Sequence, residues 1–66
     1  MQTVTDAYLL GIKEGRALLN AFPDVTPQEM RRHAQNCSEL VKRHSGVMRD
    51  TFRGERDFWN NQIKKG

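Results

Sequence analysis

The sequence predicts an all-α fold of three short helices. Apolar residues recur at three- and four-residue spacing along nearly the whole chain, and no stretch alternates β-branched residues as a half-buried strand does. Pro23, Pro27 and Gly46 divide that pattern into three.

The first helix is expected over about residues 5–22. Thr3 or Thr5 can cap it, and Asp6 places a negative charge at the positive end of the helix dipole. It stops at Pro23, which cannot continue a helix. At about 100° per residue, Ala7, Tyr8, Gly11, Ile12, Gly15, Leu18, Leu19 and Phe22 fall on one arc, with Lys13, Arg16 and Asn20 opposite. Gly11 and Gly15 lie in the middle of that arc. A glycine costs about 1 kcal/mol relative to alanine in a helix interior, so close packing is the expected offset. Ala7, Gly11 and Gly15, with Leu18 and Phe22 beside them, are therefore the candidate helix-packing or dimer face. The spacing fits a crossing within the chain as well as one between two subunits. Membrane helices use the same GxxxG spacing, but this helix is too short and too charged to span a bilayer.

The second helix is expected over about 27–45 and has the clearest start signal. Thr26 can cap it, Pro27 suits the first helical position, and Glu29 completes a capping box. Val25 and Met30 have the spacing of a hydrophobic staple. Met30, Ala34, Cys37 and Val41 form its apolar stripe, flanked by Leu40 and His44, while Arg31, Arg32, Gln35, Glu39, Lys42 and Arg43 point away. Lys42, Arg43 and His44 suit its negative end, and Gly46 can supply a left-handed terminating residue; a break is expected near Ser45-Gly46, with a single helix continuing through it as the alternative.

The third helix is expected over about 47–64. Met48, Phe52, Trp59 and Ile63 share one side, with Val47 and Phe58 toward a second edge, so its apolar arc is wide. Glu55 and Gln62 fall between the two edges. Met48, Phe52, Glu55, Phe58, Trp59 and Ile63 are accordingly the candidate partner groove, into which an amphipathic helix could dock. Aromatic residues of this kind are favoured interface anchors, although in so short a chain they can equally be the core. Glu55 reads either as an edge residue paired with a cation or as a polar anchor at an interface.

The second and third helices should form a hairpin, with the first packing its glycine face on them or on a second subunit. A chain of 66 residues buries little of its surface. Its single cysteine cannot form an internal disulfide and no zinc-ligand spacing is present, so homodimerisation is the expected means of completing the fold. Neither a signal peptide nor a membrane span is read at the N-terminus, and a free thiol fits the reducing cytosol.

The net charge of +3 is uneven. Residues 1–26 carry Lys13 and Arg16 against Asp6, Glu14 and Asp24, a net of −1, and the remaining +4 lies in 27–66. Arg49, Arg53 and Arg56 recur at helical spacing beside the aromatic face and could meet phosphates while Phe58 or Trp59 stacked on bases. With Arg31, Arg32, Lys42 and Arg43 they make up the candidate nucleic-acid surface of the alternative reading. Asp50–Arg53 and Arg53–Asp57 ion pairs would partly neutralise the stripe.

Glu29, His33 and Cys37, with His44 further along, share one side of the second helix. A single helix rarely closes a four-ligand site, so no metal and no cofactor are expected. Nothing in the sequence supplies an orienting group for a thiol–histidine pair, so the chain is expected not to be an enzyme.

The segments YLLGIKEGRALLNAFPD and GERDFWNNQIKKG resemble small early proteins of lambdoid temperate phages. The resemblance implies a compact helical dimer that influences the choice between lysis and lysogeny through host or phage proteins in the host cytoplasm. It assigns no role to any residue. The expected function is thus regulatory protein–protein interaction, with nucleic-acid binding as the alternative.

Overall fold

A computed structural model describes residues 4–65. It contains α1 (Asp6–Ala21), α2 (Pro27–Arg43) and α3 (Gly46–Lys65), with no strand among the described residues. Local chemistry sets each boundary. Thr5 caps α1, its hydroxyl oxygen accepting from the Tyr8 N–H at 3.1 Å. Thr3, the other candidate cap, lies outside the described residues. The Phe22 N–H closes the last turn on the Leu18 carbonyl at 2.9 Å, and Pro23 follows. At α2 the capping box forms in both directions: the Glu29 N–H donates to Thr26 Oγ1 at 3.1 Å, and the Thr26 N–H donates to Glu29 Oε1 at 3.2 Å. Val25 and Met30 both pack against the core, as a staple should. The helix ends at Arg43, two residues short of the expected end, and Gly46 turns the chain at a φ of +64°.

The helices are arranged around α3. α1 packs along α3 and α2 packs along α3, whereas no residue of α1 comes within 8 Å of α2, Cα to Cα. The contacts fix the directions. Thr5 meets Asp50 and Tyr8 meets Asp57, so α1 runs parallel to α3. His33 meets Trp59 and His44 meets Phe52, so α2 runs antiparallel to it. The expected α2–α3 hairpin is present, and α1 lies on α3 alone.

The α1–α3 crossing is a backbone-to-backbone contact. A Cβ on Gly11 would fall on the Thr51 carbonyl oxygen and 2.9 Å from the Glu55 nitrogen. A Cβ on Gly54 would fall on the Tyr8 carbonyl oxygen. Gly15 plays a different part, because a Cβ there would lie 2.6 Å from the Phe58 ring. The glycine face of α1 is thus occupied within the chain.

Two hydrogen bonds tie the same crossing at its outer edge. Thr5 Oγ1 donates to Asp50 Oδ2 at 3.2 Å, and Tyr8 Oη donates to Asp57 Oδ2 at 2.5 Å. Donation to Asp57, with partial burial behind it, raises the Tyr8 pKa above its ordinary value.

The core is small. Ala34, Cys37, Phe58 and Trp59 are its buried apolar side chains, and Trp59 is only 2% exposed. Trp59 stacks on His33 at 4.9 Å between ring centroids and meets the edge of Phe58 at 5.1 Å. Ile12 and Leu19 of α1, Val25 of the connecting turn and Met30 of α2 cover this cluster.

Candidate functional site

Because α1 and α2 diverge on α3, they leave a groove whose floor is the strip of α3 between the two packing lines. Helical periodicity puts Met48, Thr51, Glu55 and Gln62 on that strip. One chain of polar contacts crosses it. The Cys37 thiol of α2 donates to Glu55 Oε2 at 3.4 Å, and the Glu55 carboxyl lies beside that of Glu14 of α1. Burial, reinforced by the neighbouring Glu14 carboxyl and its charge, pushes the Glu55 pKa up to about 7, with the thiol bond acting in the opposite direction. Burial, then the bond to Glu55, pushes the Cys37 thiol up to about 12. Cys37 is therefore a buried thiol and not a nucleophilic thiolate.

Apolar surface lies on both sides of this acidic centre. Helical spacing places Leu10, Glu14, Leu18 and Ala21 along the α1 wall. Leu10 is 48% exposed, Leu18 40% and Phe22 65%, and Met48 on the floor is 52% exposed. At the end where α1 leads into α2, Leu18 and Ala21 of this wall also line a cleft of about 530 Å³, together with Phe22, Val25, Glu29, His33 and Trp59, among others.

No known family model, curated protein or solved structure matches this chain.

The structure separates the residues expected to form a partner groove. Phe58 and Trp59 are core, 5% and 2% exposed. Phe58 fills the space left by Gly15, and Trp59 is covered by His33. Phe52 turns toward His44, their centroids 5.5 Å apart, and Ile63 borders a shallow cleft with Arg31 and Lys42 on the far side of α2. Of the expected set Met48 and Glu55 lie on the floor between α1 and α2, and Trp59 lines the cleft at its end. The arc of α3 is wide because two helices pack on it from different sides.

Of the expected packing face, Gly11 and Gly15 are buried against α3, Ala7 is half-buried, and Leu18 and Phe22 are exposed at the groove. The arginine stripe of α3 is engaged with carboxylates. Arg49 and Arg53 approach Asp50 at 3.6 and 3.9 Å, and Arg56 pairs with Asp57 at 3.1 Å. The expected Arg53–Asp57 pair is replaced by Arg56–Asp57, since Tyr8 holds one oxygen of Asp57 and the other accepts from Arg56. Arg31, Arg32, Lys42 and Arg43 are exposed on the outer face of α2, and none joins an ion pair among the described residues. Among those residues no cluster of three His, Cys, Asp or Glu is placed to hold a metal ion, and no helix is long and apolar enough to cross a membrane.

Sequence reasoning missed Gly54, Leu10 and Glu14. Gly54 had a signal, being an isolated glycine inside a helical pattern. Leu10, Glu14, Ala17 and Ala21 had one too, a heptad-like spacing along a second edge of the first helix.

Proposed function

We propose that this protein is a non-enzymatic interaction module, a phage early regulator that acts by docking another protein in the groove between α1 and α2. The exposed apolar wall carries this reading: Leu10, Leu18 and Phe22 remain 40–65% exposed along one open groove, in a chain whose core is four side chains. The resemblance of YLLGIKEGRALLNAFPD and GERDFWNNQIKKG to lambdoid early proteins supports placing the interaction in host takeover or lytic development. A homodimer remains part of the reading on grounds of size, but the glycine face is already taken up by α3.

The test compares wild type with Leu18→Asp in affinity purification from the cell that makes the protein. The variant should keep its helical circular dichroism and lose one specific partner. Recovery of the same partners by both would remove the groove from the account.

A second reading has one observation behind it. Arg31, Arg32, Lys42 and Arg43, which join no ion pair among the described residues, share the outer face of α2. Nucleic-acid binding there would weaken steeply with salt, whereas apolar docking would change little. Failure to bind duplex or single-stranded DNA at low salt would end it.

A further inference from the structure

The groove is acidic although the molecule is basic. The chain has 11 Lys and Arg against 8 Asp and Glu. Four of its acidic residues nevertheless line or border the groove: Asp24 and Glu29 at the cleft, Glu14 and Glu55 at the centre. The cleft lining contains no lysine or arginine. Arg32, beside Glu29, is a cation at the rim. Glu14 is exposed and Glu55 half-buried, so a side chain entering from solvent can reach both. Leu10 and Met48 lie toward one end of this pair, Leu18 and Phe22 toward the other. Leu10 and Leu18 are eight residues apart, about 12 Å along a helix, a length that two to three turns of a second helix cover.

We infer that the groove seats a basic amphipathic helix of a partner protein. Its apolar side chains rest on the two leucine-bearing ends, and a lysine or arginine between them meets the Glu14 and Glu55 carboxyls. The inference rests on the interaction reading above and adds the partner's chemistry. A second copy docking α1 against α1 would bring Glu14 and Glu55 of both copies together, which sets like charge against like at the centre of the contact. A basic helix supplies the opposite charge there. Long-range attraction cannot account for such a preference, because a positively charged protein repels a basic peptide.

The test is selection from a displayed library of 16-residue helical peptides. Leucine is fixed along one stripe, and the positions between are randomised among Lys, Arg, Glu, Gln and Ala. Wild type should enrich Lys or Arg at the centre of the stripe, and replacing that residue by Glu should weaken binding at least about tenfold. Glu14→Gln/Glu55→Gln should still bind the apolar stripe and lose the cation preference. Binding by wild type with no such preference, or a preference retained by the double variant, overturns the partner chemistry and leaves the interaction reading standing. If wild type enriches nothing beyond what Leu18→Asp and Leu10→Gln enrich, the interaction reading falls as well. Sedimentation of the protein alone supplies the remaining arm: a dimer lost in both leucine variants would identify a second copy as the occupant and overturn the proposal.

Discussion

Gly11 of α1 and Gly54 of α3 are reciprocal contacts, each lying against the backbone of the other's helix at the Thr51 and Tyr8 carbonyls. Alanine in a helix interior normally gains about 1 kcal/mol over glycine. Here that gain is opposed by a clash with backbone, which cannot rotate away. Gly11→Ala and Gly54→Ala should each destabilise by about 1–3 kcal/mol in chemical unfolding. Gly46→Ala should cost about 1–2 kcal/mol for another reason, its φ of +64°, since a Cβ there meets no atom within 4 Å.

Trp59→Ala removes the most buried large side chain, and with it the stacking on His33 and the edge contact with Phe58. Aromatic-to-alanine changes in a core cost about 3–5 kcal/mol, a large part of a small domain's stability. Thermal unfolding should show a transition moved to far lower temperature than in wild type, with much of its cooperativity lost. The variant therefore reports on folding and is unsuitable as a probe of partner binding.

Glu55 makes stability depend on pH in a defined direction. Its carboxyl titrates near 7 in the folded chain and near its ordinary 4.5 when unfolded, so the folded state holds the extra proton between those values. Stability should be greatest toward pH 4.5 for this group and should fall as pH rises through about 7. Urea midpoints measured from pH 5 to 8 should decline in wild type and flatten in Glu55→Gln. An equal decline in both would assign the dependence to other groups.

Cys37 should be inert while the protein is folded. It is 5% exposed and its thiol is held near 12 by burial and by Glu55. A thiol reagent at pH 8 should label it only through the unfolded state, at a rate that rises with denaturant in step with the loss of helical signal. Rapid labelling under native conditions would contradict the packing of α2 on α3.

The helices and their caps were legible because each boundary is local chemistry: Thr26, Pro27 and Glu29 announce α2 without reference to the rest of the fold. The glycine face of α1 was legible too, since two helix-breaking residues in one apolar arc call for an offset. What covers that face was not, because its counterpart is the lone Gly54 in the polar run Arg53–Gly54–Glu55–Arg56. The aromatic arc of α3 stayed ambiguous between core and partner surface for a related reason. A helix contacted from two directions looks on a wheel like one with surface to spare, and only the positions of its neighbours show Phe58 turned to α1 and Trp59 to α2. The groove was hidden because it belongs to no single helix: Glu14, Glu55 and Cys37 come together only when α1 and α2 sit on α3.

The central position of α3 also bears on synthesis. α1 and α2 have no Cα pair within 8 Å of each other, so after both have left the ribosome the helix on which each packs has yet to be made. The partners of Thr5 and Tyr8 lie 45 and 49 residues downstream. Native packing of α1 and α2 must wait for residues 46–65, and the three helices then come together in one step. Until that moment the nascent chain displays Leu10, Leu18 and Phe22 together with the faces that later close, so the interval before α3 emerges is when chaperones and proteases have most to hold.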